Sequence, residues 1–234
     1  MEDRLAEILH ATVREYIRNG EPVSSLRLYE DYDFGIKPAR IRAILNELTD
    51  AELLFQPHVS GGRVPTDRAL EVFVAEALRG LGRAHAPWRF EEALAEEFRR
   101  GALEDMVHTM SEELELLGAG YATKLKNLYT SGLDELIEHI EFNDRGELRE
   151  IIKDFEGLGG RIEKWLENER KSPEEVQVFV GKKSPLTKSP HLAVMTELVG
   201  EGDDAMLLVA IGSRRMNYEK GLKFFKSIEE LLRS

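Results

Sequence analysis

The chain has 234 residues, 42% hydrophobic and 32% charged, which suits one or two globular domains with their own cores. It contains no cysteine, which excludes disulfides, thiolate metal sites and cysteine nucleophiles, and no apolar run approaches the ~18 to 20 residues of a membrane span. The net charge of −12 argues against loose, charge-driven binding to nucleic acid, but not against a small module that reads DNA through shape and a few local cations. The charged, amphipathic N-terminus is unlike a signal peptide, so the expected compartment is the cytoplasm.

In chain order, Leu5, Ile8, Leu9, Val13, Tyr16 and Ile17 recur at helical spacing and predict a helix over residues 2–19, stopped by Asn19-Gly20 and Pro22. Ser24 or Ser25 caps a short second helix to about Tyr32. A third helix begins at Pro38, which suits a first helical position, and buries Ile41, Ile44, Leu45 and Leu48. Residues 53–58 and Arg63-Val64, joined through Ser60-Gly61-Gly62, predict a hairpin. Thr66 caps a fourth helix over residues 67–79, with Leu70, Phe73, Val74, Ala77 and Leu78 inward. Three helices and then a two-stranded hairpin is the order of a winged helix-turn-helix.

Residues 80–87 are rich in breakers and mark a candidate linker. Residues 90–100 read as a polar helix. The stripe Leu103, Met106, Val107, Met110, Leu114 and Leu117 predicts a helix packed on its own domain or shared across a dimer. Residues 118–143 give no clear pattern, and Gly118, Gly120 and residues 157–160 read as helix breaks. A long helix over residues 145–171 is expected to split at those later glycines. Strands are predicted over residues 176–180, 192–198 and 205–211, with a hairpin turn at residues 200–203, and a last helix over residues 218–232. The C-terminal half is therefore α+β with a small antiparallel sheet.

No catalytic constellation emerges. The six histidines show no ligand spacing, the glycine clusters continue into neither a dinucleotide fingerprint nor a P-loop, and no nucleophile elbow occurs. No catalytic residue, metal or cofactor is expected. The strongest candidate is the surface of the third helix and the hairpin. Arg42 can donate two hydrogen bonds to a guanine and Asn46 can pair with adenine. Ala39 and Ala43 are small enough for close approach or contact with a thymine methyl. Lys37, Arg40, His58, Ser60, Arg63 and Arg68 suit the phosphate backbone, and Gly61-Gly62 lets the hairpin backbone come near a strand. The net charge from Lys37 to Arg68 is only +1, so a winged helix used for protein contact stays open beside DNA reading.

Residues 16–25 (YIRNGEPVSS), Ala39-x-Ile41-Arg42 and residues 56–66 (QPHVSGGRVPT) resemble the helix junction, recognition helix and wing of the HrcA family of heat-inducible transcription repressors. Residues 211–218 (IGSRRMNY) resemble that family's C-terminal segment, and residues 178–181 and 189–195 its preceding strands. The sequence departs from the family pattern at Ala43, usually Asn, at Glu52, usually Gly, and at Ser213, usually Pro. Residues 81–125 match poorly. The resemblance implies residues 1–80 as a winged helix-turn-helix, 81–124 as a helical linker and possible dimerisation region, and 125–234 as a shortened GAF-like regulatory domain. It also implies a homodimer on an inverted-repeat operator of chaperone operons, released on heat stress, with a GroEL-type chaperonin as possible partner and no membrane partner.

Overall fold

The computed structural model describes residues 2–58, 61–81, 94, 96–97, 100–140, 145–168, 176–200, 202 and 205–233. The chain divides into two compact units, Met1–Gly80 and Leu81–Ser234.

The first unit runs α1 (Glu2–Asn19), α2 (Ser25–Asp31), α3 (Pro38–Asp50), β1 (Leu54–Phe55), β2 (Val64–Pro65) and α4 (Asp67–Gly80). Helix α1 closes at Gly20, whose φ of 73° suits glycine and whose amide bonds Tyr16 O at 2.9 Å. The Ser24 side chain caps α2 by accepting from the Arg27 amide at 3.1 Å. Pro38 starts α3, and Ile41, Ile44, Leu45 and Leu48 are buried as the spacing requires. They share the interior with Ile8, Val13, Leu28, Leu54, Leu70 and Phe73. Within α4, Ala77 and Leu78 are only half-buried. The α3 terminus closes through Leu53 N to Leu48 O and Glu52 N to Thr49 O, both 3.0 Å, the Schellman pattern. Strands β1 and β2 pair antiparallel, Leu54 opposite Pro65.

The second unit contains α5 (Leu103–Leu114), β3 (Leu117–Ala122), β4 (Asn127–Ser131), α6 (Leu133–His139), α7 (Arg145–Glu156), α8 (Leu158–Asn168), β5 (Gln177–Val180), β6 (Leu192–Val199), β7 (Met206–Ser213) and α9 (Tyr218–Arg233). Among the described residues its five strands form one antiparallel sheet in the order β4-β3-β7-β6-β5. On one face, Leu117, Ala119, Tyr121, Val194, Val209 and Ile211 pack with Leu136, Ile151, Leu158, Ile162 and Trp165 of α6 to α8. On the other, α5 packs on β3 and α9 on β6. The unit is mixed α+β, as expected, but three features differ from the sequence reading.

First, residues 117–122, assigned to a helical linker that ends at residue 124, form β3 between β4 and β7. Second, the apolar stripe breaks after Leu114, because Glu115 turns left-handed at φ 55°, and Leu117 belongs to the strand. Helix α5 packs on its own domain through Met106, Val107, Met110 and Leu114. Third, Gly118 and Gly120 break no helix. They let α5 lie close on β3, since a Cβ on Gly118 would stand 2.9 Å from Val107 O and one on Gly120 2.7 Å from Val107 Cγ2. The split at Gly157 separates α7 from α8 as read from the sequence. The linker at residues 80–87, the helix at residues 90–100 and the turn at residues 200–203 lie largely outside the described residues.

Candidate nucleic-acid interface

Burying the Ile41, Ile44, Leu45 and Leu48 stripe leaves the opposite face of α3 to solvent. Ala39, Arg40, Arg42 and Asn46 are exposed there and Ala43 is half-buried. Arg42 and Asn46, four residues apart, stand one above the other. Arg42 has no ion pair among the described residues. Arg40 Nη1 lies 3.5 Å from Glu47 Oε1, so part of its charge is already answered within the helix. Lys37 flanks α3 as its exposed N-cap.

The hairpin stands beside this face. A cleft of about 540 Å³ is lined by Ser24, Arg42, Asn46, Gln56, Gly61 and Arg63, among others. Arg63 bridges hairpin and helix: its Nη2 donates to Asn46 Oδ1 at 2.6 Å and its Nε to Thr49 Oγ1 at 3.1 Å. The Gln56 side chain donates to Gly61 O at 3.0 Å and braces the turn. His58 is exposed, and its carbonyl accepts from the Gly61 amide at 2.8 Å. Arg68 donates to Ala51 O at 3.3 Å, at the C-terminus of α3. Ser60 lies outside the described residues.

Gly62 also seats the hairpin. A Cβ there would come within 2.5 Å of Pro22 O and Val23 C. The residue is glycine so that the hairpin can dock on the segment between α1 and α2. Val23 and Arg63 exchange hydrogen bonds there at 2.8 Å in each direction.

A second network orients α2. Glu15 of α1 is almost wholly buried and receives Arg27 Nε at 2.9 Å, Tyr32 Oη at 3.0 Å, Asn19 Nδ2 at 3.0 Å and the Arg18 guanidinium. Burial pushes its carboxyl pKa up, but the hydrogen bonds from Arg18, Arg27 and Tyr32 outweigh burial and hold it below the usual carboxylate range. The available signal in the sequence was the register of Glu15, four and seven positions after Ala11 and Ile8 on the buried side of α1. For Thr49 the signal was its place three residues after Asn46.

Arg42, Asn46, Gly61, Gly62 and Arg63 are thus brought to one cleft, while Arg68 lies at the C-terminus of α3. Among the described residues no group of three or more His, Asp or Glu side chains can hold a metal ion, and no helix is long and apolar enough to cross a membrane.

The family described as HrcA protein C terminal domain matches residues 64–221. The heat-inducible transcription repressor HrcA of Trichormus variabilis is 39% identical over 139 residues, 58% of this chain and 35% of that protein. The repressor of the same name from Gloeobacter violaceus is 47% identical over 75 residues, 32% of this chain and 21% of its own. The matched part of the chain thus spans little more than a third of the curated relatives' length. A crystal structure of a hypothetical protein shares the fold, with TM-score 0.73 and 17% identity over 99% of this chain and 96% of that one.

Proposed function

The chain belongs to the HrcA family, and on that premise we propose that Met1–Gly80 is a winged helix-turn-helix through which a heat-inducible transcription repressor binds an inverted-repeat operator as a homodimer. In this reading α3 enters the major groove, Arg42 and Asn46 meet base edges, and Lys37 and Arg40 lie over phosphates. The hairpin, with His58, Ser60, Gly61 and Arg63, follows the adjacent backbone. The second unit is a GAF-like regulatory domain, and release on heat stress with a GroEL-type chaperonin as partner follows the family. The protein works in the cytoplasm and no catalytic step is assigned to it.

The observation that carries the reading is Arg42 beside Asn46, both exposed on α3 at the mouth of the hairpin cleft. A gel shift on an inverted-repeat operator, with scrambled duplex as competitor, tests it. The wild type is expected to shift the operator specifically. Arg42→Ala is expected to lose about 10- to 100-fold of that specific affinity and little of the nonspecific, because a base-reading Arg contributes about 1–3 kcal/mol of discrimination. Equal loss on both duplexes would reduce Arg42 to a phosphate contact. The Arg40–Glu47 pair and the small net charge around α3 favour one other reading, a winged helix used for protein contact. Folded protein that shifts no duplex, yet binds a protein partner through α3, selects that alternative.

A further inference from the structure

The side chain of Arg63 turns onto α3. Besides Asn46 Oδ1 and Thr49 Oγ1, its Nη1 lies 3.4 Å from Gly61 O. The backbone of Arg63 is meanwhile held by the bridge to Val23. The residue is therefore anchored from behind and reaches forward to the exposed face. The Thr49 hydroxyl donates to Leu45 O at 2.7 Å, which leaves its oxygen to accept from Arg63. Because a guanidinium has only donors, the Asn46 amide atom that faces it must be the oxygen. The orientation of the Asn46 amide is thereby decided by chemistry. Its remaining polar edge is Nδ2, a donor with no partner among the described residues.

We infer that Arg63 is a positioning residue that locks the Asn46 amide with Nδ2 outward, so that the protein rejects cytosine, and takes a base that presents an acceptor, at the position Asn46 meets. The inference rests on the DNA-reading proposal and adds to it a direction of preference. An untethered amide rotates to offer either its oxygen or its nitrogen, and so tolerates both donor and acceptor edges in the major groove. With Oδ1 engaged at 2.6 Å by a charged donor, turning the amide over would set Nδ2 against the guanidinium and leave a charge-assisted bond unmade. The exocyclic amino group of cytosine, a donor, then meets a donor. The adenine pairing expected from sequence narrows to a single acceptor contact, which N7 or O6 of guanine and O4 of thymine also offer.

Selection from a duplex library with randomised half-sites tests this, using the full chain as wild type, Asn46→Ala, Arg63→Ala, Arg63→Lys and the double variant N46A/R63A. The wild type is expected to enrich a defined site with cytosine depleted roughly tenfold or more at one position per half-site. Asn46→Ala should flatten that position alone. Arg63→Lys and Arg63→Ala should flatten the same position to within about twofold while the others persist, and the double variant should match Asn46→Ala. Lysine keeps the charge but not the fork, so Arg63→Lys carries the test if Arg63→Ala melts early. Uniform weakening with the depletion of cytosine intact would make Arg63 a phosphate contact and overturn the inference. A preference for cytosine at that position would overturn it too. A folded wild type that enriches no sequence would remove the DNA-reading proposal itself, and the inference with it.

Discussion

Glu52 sits just beyond the end of α3 with φ at 59°, the left-handed position a Schellman closure asks of its final residue. Glycine takes that conformation freely, whereas a side chain there costs about 1–2 kcal/mol. Glu52→Gly should therefore raise the stability of the first unit by about 1 kcal/mol, read as a higher midpoint in thermal or urea unfolding. An unchanged or lower midpoint would mean that the lost side chain, or the freer unfolded chain, offsets the relief. Glu15 makes a prediction in pH. Its folded pKa is depressed, so its contribution is fully present above the ordinary carboxylate value of 4.5 and is lost as pH falls through the lower folded value. The first unit should lose stability on acidification below about pH 4.5, and Glu15→Gln should weaken that dependence while costing about 1–3 kcal/mol near neutrality. A variant with the wild-type acid profile would place the titrating group elsewhere. Residue by residue, Ser24, Pro38 and Thr66 announce themselves in the sequence because caps and first-turn prolines act on their immediate neighbours. The partnership of Arg63 with Asn46 spans 17 positions and has no local sign.

At the scale of elements, the two glycine clusters separate. Both look like helix breaks in the sequence, yet one lies within a strand under α5 and the other at the start of α8. A methyl on Gly118 would press on the Val107 carbonyl at 2.9 Å, a backbone atom that cannot turn aside, whereas Gly160 has nothing within 4 Å. Gly118→Ala is expected to destabilise the second unit by about 1–3 kcal/mol. Gly160→Ala, in an exposed helical position, is expected to stabilise it by about 0.5–1 kcal/mol. Denaturation of the two variants side by side checks the opposite signs, and equal effects would contradict the close approach of α5 to β3. The same geometry explains why β3 was not legible. Its sequence LGAGYA is buried along its whole length, so it lacks the alternation that marks a half-exposed strand, and its glycines imitate punctuation. Strands β6 and β7 are equally buried but are written in long aliphatic runs, which is why the sequence reading found them.

Across the whole molecule, charge sets a condition on the proposed binding to DNA. The net charge is −12, and even Met1–Gly80 holds ten basic residues against fourteen acidic ones. Long-range attraction to a polyanion is therefore weak or absent, and binding must rest on a few cations brought close by shape. Operator affinity should fall with salt along a shallow slope, corresponding to no more than about five phosphates per protomer. A titration of operator binding against salt concentration measures it. A steeper slope would show that more cations reach the backbone than Lys37, Arg40, Arg42 and their neighbours supply, and would reopen a phosphate role for Arg63.

The sequence by itself determined what depends on neighbours a few positions apart. The order of α1 to α4 with the hairpin, the caps and stops of those helices, the division at Gly157, the antiparallel strands near the C-terminus and the resemblance to the HrcA repressors all rest on short-range pattern. It also brought Arg42 and Asn46 together, because a helical repeat sets two side chains four residues apart on one face. Tertiary structure decided the rest. It made Gly62 the seat of the hairpin on Pro22 and Val23, turned the Arg63 side chain onto the amide of Asn46, tied α2 to Glu15, and drew β3 out of an expected linker into the sheet. The physical reason is the same in each case. A local conformation is chosen by steric and hydrogen-bonding preferences within a turn or two of chain, whereas a close approach or a hydrogen bond between distant residues exists only once packing has selected which surfaces meet.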